Sequence, residues 1–204
     1  AEQGGYVNGV MAALMSKSGR IGVTGPVEVG DARTYISGFV QGVQSVAPNA
    51  NVSQTWTGSF SDVALMTAAA QTHISNGADV LTGSSQSVVG SIGAAQEAGD
   101  VLWFGTQADQ TDLAPELVVA SQVYNWVAML EEMIGNAQGG VYGGETYILT
   151  LANDGLQIAY NPDFDIPTEV REAAQEAIAG IAHRSLDIAS QNENTRPTAS
   201  PPNA

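Results

Sequence analysis

Between residues 20 and 121, short apolar runs alternate with longer helical periods, and this alternation constrains the fold more than anything else in the chain. Arg20–Gly25 reads as a short buried strand, and Asn51–Trp56 and residues 78–82, 100–105 and 117–120 read as the strands that follow. Between them, residues 31–47 place Tyr35, Ile36, Phe39, Val40, Val43 and Val46 on one helical face. Residues 63–76 turn Leu65, Met66, Ala69, Ala70 and Ile74 inward, and residues 87–98 form a third helix. Gly77 and Gly99 act as stop signals. Strands joined by helices of this length require right-handed crossovers and a parallel sheet. The strands are continuous apolar runs, as expected when helices cover both faces. The expected fold class is therefore α/β, with a parallel, doubly wound sheet.

A sheet of this kind binds ligands at the carboxyl ends of its strands. Here those ends are Gly25-Pro26, Trp56 to Asp62, Gly83-Ser84-Ser85 and Gly105 to Gln110. The most informative is Trp56-Thr57-Gly58-Ser59-Phe60-Ser61-Asp62, where two aromatics flank a turn of small residues and a carboxylate stands at the next helix start. Asp62 fits an N-cap and can also orient Phe60. Ser84 and Ser85 precede a helix whose first amides face the same edge, which suits a sulfate, a phosphate or a sugar hydroxyl, or a plain helix cap. Gln107, Asp109 and Gln110 crowd hydrogen-bonding groups behind a buried strand. Tyr124 and Trp126 lie where strand gives way to helix; two residues apart, they do not share a helix face, so one is expected in the core and the other toward a ligand. Asp79 and Asp100 open strands at the opposite, amino edge and read as caps. His73, in mid-helix, reads as a structural or surface residue.

The flanks depart from this rhythm. Residues 6–18 carry Val7, Val10, Met11, Leu14 and Met15 at helical spacing, so a helix precedes the first strand. Residues 124–136 read as a long helix, and 167–185 as another. Residues 145–152 and 156–160 read as a β-hairpin turned by Asn153-Asp154-Gly155. From residue 189 onward Pro, Ser, Asn and Thr dominate, the signature of a disordered tail.

Charge and chemistry narrow the function. The chain has 21 acidic against 6 basic residues, a formal charge of −15. It offers no basic patch for nucleic acid and no attraction to an anionic membrane surface. With no cysteine and two distant histidines, it has no disulfide, thiol nucleophile or thiolate metal site, and no cofactor is expected. A dinucleotide glycine fingerprint, a phosphate-binding Gly-Lys-Ser/Thr loop and a Gly-x-Ser-x-Gly elbow are all missing from the sequence. No apolar run is long enough to span a bilayer, and direct membrane insertion is not expected.

Taken in order, these motifs resemble one family. Arg20-Ile21-Gly22-Val23-Thr24-Gly25, Gly38-Phe39-x-x-Gly42-Val43 with Pro48, Trp56-Thr57-Gly58-Ser59-Phe60-x-Asp62, Gly77-Ala78-Asp79-Val80, Ala94-Ala95 and Gly105-Thr106-Gln107-Ala108-Asp109-Gln110 look like the BMP (basic membrane protein) substrate-binding components of ABC transporters, among them purine-nucleoside-binding lipoproteins. Ser121-x-x-Tyr124-Asn125-Trp126 and Gly143-Gly144 are similar to one branch of it. The resemblance implies a type I periplasmic-binding-protein fold, two lobes closing on a small nucleoside-like ligand without catalysis, and a transporter permease as partner. It implies residues 1–19 as the end of a first lobe and a crossing helix, 20–121 as the ligand-binding lobe, 122–188 as crossing helix, hairpin and C-terminal helix, and most of the N-terminal lobe lacking. Carried over by position, Phe60 stacks on the purine, Gln107 stands where nucleoside binders often have Asp, Tyr124 where many have Lys, and Ser84 and Ser85 lie in a loop near the ligand. The expected location is periplasmic or extracellular and membrane-associated, although neither a signal peptide nor a lipidation cysteine is in the sequence. A small α/β enzyme, a ligand-sensing or interaction lobe of a larger protein, and an inactive fragment remain the competing readings.

Overall fold

A computed structural model describes residues 1–189. Its centre is a six-stranded sheet in the order β2-β1-β3-β4-β5-β6. β1 (Arg20–Gly25), β2 (Asn51–Trp56), β3 (Val80–Gly83), β4 (Leu102–Gln107) and β5 (Val118–Tyr124) run parallel, and β6 (Leu156–Tyr160) is antiparallel to β5. The five parallel strands therefore end along one edge, as the alternation requires. The fold is that of the expected α/β class.

One face is covered by α1 (Glu2–Met15), α2 (Gly30–Val46) and α6 (Thr168–Ala182). Tyr35, Ile36 and Phe39 are almost fully buried there, each side chain contributing about 1.5–3 kcal/mol of burial. α1 and α2 cross at backbone contact. A Cβ at Gly5 or Gly9 would strike the carbonyls of Tyr35 or Phe39, and one at Gly38 or Gly42 would strike those of Glu2 or Tyr6. The opposite face is covered by α3 (Val63–Ser75) and α4 (Val89–Ala98), around Met66, Leu81, Ile92 and Trp103.

Local signals set several boundaries. β1 and β2 occupy the expected spans, but only β1 is a buried apolar run; β2, Asn-Val-Ser-Gln-Thr-Trp at the edge of the sheet, is mostly polar and partly exposed. Asp62 caps α3 by accepting the Leu65 amide at 3.0 Å. Gly77 and Gly99 adopt positive φ after α3 and α4. Asp79 ties the end of α1 to the sheet: it accepts from Ser16 Oγ and from the amides of Lys17 and Ser18 at 2.6–2.7 Å. Burial works against that carboxylate, but these bonds prevail and hold its pKa below the usual value.

Other boundaries shift. The opening helix begins four residues before the expected 6–18 span, at Glu2, and ends at Met15. α2 begins at Gly30, one residue ahead of the expected 31–47 span, with Val29 at its N-cap. β5 continues to Tyr124, because β4 on one side and β6 on the other both supply ladder partners. α5 (Val127–Gln138) consequently starts later than residue 124. The expected hairpin does not form. β6 pairs with β5, while residues 145–150 join no strand. The Asn153 side chain explains this: its Oδ1 accepts the Thr150 and Gly155 amides and its Nδ2 donates to the Ile148 carbonyl, so a local turn takes groups a ladder would need. His73 lies in the core, 3% exposed, packed over Gly22. The expected disordered tail lies, apart from Ala189, outside the described residues.

Candidate functional site

The carboxyl edge of the sheet carries the residues singled out as candidate ligand contacts, in three groups, each following a strand of the parallel set. On the β2 side, Gly58 adopts φ 80° and lets the chain turn back after Trp56. The turn is held from beneath: the Phe60 carbonyl accepts from Ser85 Oγ at 2.7 Å and from Ser87 Oγ at 3.3 Å, while Ser59 Oγ accepts the Asp62 amide. Phe60 itself remains 44% exposed. Its backbone is anchored and its ring is offered to solvent. Ser85 thus acts on Phe60 through hydrogen bonding, and its hydroxyl is engaged with Ser87 as well. Ser84 is buried, with its amide bonded to the Thr24 carbonyl.

The second group follows β4. Gln107 is exposed and adopts φ 74°, an unusual conformation for a side-chain-bearing residue. Gln110 fixes the loop behind it. Its Oε1 accepts from the Trp103 indole at 2.7 Å, its Nε2 donates to the Thr106 carbonyl, and its amide donates to Ser121 Oγ. Gln110 is buried, so these bonds replace water that the core excludes. Asp109 is exposed and engaged locally: its Oδ1 accepts from both the amide and the hydroxyl of Thr111.

The third group sits at the end of β5. Tyr124 donates its hydroxyl to Asp31 Oδ2 at 3.2 Å, joining β5 to the first turn of α2. Burial, together with the Asp31 carboxylate, raises the pKa of this phenol and keeps it protonated. Trp126 is the N-cap residue of α5 and is 50% exposed. Neither residue occupies a helix face, so the expected division between core and ligand side does not apply; their rings instead meet at 5.4 Å between centroids.

Two features were missed from the sequence. The Asp31–Tyr124 bond joins residues 93 positions apart and has no local signature. Beneath the edge, Asn8 Nδ2 donates to Tyr35 Oη and to the Gly105 carbonyl, and Tyr35 Oη bonds Thr82 Oγ1. Burial pushes the Tyr35 pKa up to about 12, against the lowering effect of Asn8 and Thr82. This network locks the ends of β3 and β4 under the loops. The available clue was Asn8, a polar residue within the apolar spacing of α1. Among the described residues no cluster of His, Cys, Asp or Glu suits a metal ion, and no helix is long and apolar enough to cross a membrane.

The fold defines the class. A solute-binding protein of an ABC transporter system from Conexibacter woesei superposes with a TM-score of 0.75 at 21% identity, over 93% of this chain and 63% of that one. A second such protein, from Aeropyrum pernix, gives a TM-score of 0.75 at 18% identity, over 95% and 64%. The chain thus has the type I periplasmic-binding-protein architecture. The Bmp family model, described as ABC transporter substrate-binding protein PnrA-like, matches residues 1–181, and the chain belongs to that family. The model describes a binding protein rather than an enzyme. A purine-binding protein of Brucella abortus is 29% identical over 91% of this chain and 52% of its own length. Basic membrane protein D of Borreliella burgdorferi is 29% identical over 79% of this chain and 48% of its own length. The chain spans about half the length of these relatives.

Proposed function

We propose that this chain forms one wall of the ligand crevice in the solute-binding component of an ABC transporter, and that the ligand is a purine nucleoside. The carrying observation is Phe60: an aromatic at a parallel strand's carboxyl end, its carbonyl fastened by two serines and its ring 44% exposed. Such a ring offers a purine about 1–3 kcal/mol of stacking. Gln107 and the Tyr124–Trp126 pair complete the wall, with polar groups for the base or ribose and a second aromatic surface. Asp31, Asp62 and Asp109 line the same edge and disfavour a phosphorylated ligand. The name of the Brucella abortus relative supports a purine.

The opposite wall belongs to the remaining half of a full-length family member, and binding closes the two about a hinge. The loaded protein delivers its ligand to a membrane permease on the periplasmic or extracellular side. No bond of the ligand is made or broken. A thermal-shift screen of the intact protein against nucleosides, nucleotides, sugars and amino acids tests this, because a ligand bound only by the native state raises its stability. Shifts with guanosine, adenosine or inosine, and none with their monophosphates, are expected. A shift with an unrelated solute alone overturns the nucleoside assignment.

A further inference from the structure

Charge is unevenly distributed along this chain. Of its 27 charged residues, only Asp62 and Asp79 fall between residues 34 and 96, and both are spent as caps within the fold. That span includes α2 after its first turn, all of β2, α3 and β3, and α4 up to Gln96, just before Glu97, so one end of a molecule of charge −15 carries little charge. The outermost strand at that end is β2. The Asn51 and Thr57 amides bond back to Gly19 and Gly25, at the two ends of the β1–β2 ladder. By the two-residue alternation of a strand, Val52, Gln54 and Trp56 turn their N–H and C=O groups outward. Strands at sheet edges are usually protected by charge or proline against pairing with another chain. Asn51–Trp56 contains neither. Beside it runs a groove of about 430 Å³, lined by Gln41, Gln44, Gln54 and Trp56 and by the ion pair of Glu28 with Arg33, whose opposite charges leave it neutral on balance.

We propose that β2 is a self-association seam, on which a second copy of this chain pairs antiparallel about a two-fold axis at Gln54. The strand is complementary to itself in that register. Gln54 faces Gln54, Val52 faces Trp56 and Ser53 faces Thr55, so amide meets amide, apolar meets apolar and hydroxyl meets hydroxyl. An isologous pair of this kind uses one patch twice. Two copies at −15 repel elsewhere, and the charge-poor end is where they can approach, since interface cores are depleted of charge. The antiparallel arrangement sends the two Phe60 turns to opposite ends of the seam, so pairing does not depend on the ligand reading.

Sedimentation of the intact protein tests the seam. A concentration-dependent dimer is expected, strengthened by salt, which screens repulsion between the copies. Gln54→Lys and Gln54→Glu should each weaken it by at least about tenfold, since each sets like charges face to face. Mixing the two variants should restore association as a heterodimer. Gln138→Lys, on the exposed end of α5, should change nothing. The proposal is overturned by a monomer at all concentrations, by Gln138→Lys acting as strongly as Gln54→Lys, or by no recovery on mixing. It is equally overturned if dimers appear only after residues 190–204 are deleted, which would assign the edge to the chain's own end.

Discussion

α1 and α5 are both apolar helices with glycines in them, and they meet opposite fates. α1 buries residues 4–12 without a break, between α2 and the sheet. α5 buries none: Val127, Leu130, Met133 and Ile134 are all 43–60% exposed. The same spacing of apolar residues therefore marks a face that needs a partner, and does not tell whether the partner lies in the same stretch of chain. In α1 the partner is α2, and the glycines bring the backbones together. In α5 the one glycine, Gly135, faces open space where a Cβ would stand.

One substitution made in both helices separates the cases. Gly9→Ala puts a Cβ against the Phe39 carbonyl, a backbone atom that cannot swing aside. It is expected to destabilise the protein by about 1–3 kcal/mol, as overpacking does, and chemical denaturation measures it. An unchanged midpoint would mean that the α1–α2 contact is looser than described. The end of α1 gives the next effect. Asp79→Ala removes three accepted hydrogen bonds and should cost about 1–2 kcal/mol. Because folding depresses the Asp79 pKa, its contribution is present above the ordinary carboxylate value and is lost as pH falls through the folded value. Denaturation midpoints of wild type and variant should converge across that acidic window, and a gap that stays constant with pH contradicts the assignment. Gly135→Ala, in α5, meets no atom within 4 Å. It should stabilise the chain by about 0.5–1 kcal/mol through helix propensity alone. A loss of stability there would show that α5 is closely packed.

The parts of the fold legible in the sequence are those decided locally. β1 is bounded by its own apolar run, Asp62 caps the helix it precedes, and Gly77 and Gly99 adopt the backbone their lack of a Cβ permits. What escaped was decided at a distance. β5 runs on to Tyr124 because it has pairing neighbours on both sides. The Asn153 turn is the local exception: its side chain bonds residues 148, 150 and 155 in place of the hairpin that Asn153-Asp154-Gly155 suggests. The edge itself was legible as a position, since parallel strands must end together. Which side chains would be spent inside it was not. Asp109 is turned to Thr111, Ser85 to the Phe60 carbonyl and Tyr124 to Asp31, bonds that depend on the folded loops rather than on residue type. Phe60 and Trp126 are the large apolar side chains that the edge leaves open among the residues marked for the site.

Titration calorimetry of the intact protein with a purine nucleoside, comparing wild type with Phe60→Ala, tests the central claim most directly. A loss of affinity of about tenfold or more is expected, from stacking worth about 1–3 kcal/mol, with the ligand-free melting temperature unchanged because Phe60 is nearly half exposed. Unaltered affinity, or a fall in melting temperature that accounts for the whole loss, would contradict it and return Phe60 to a structural role.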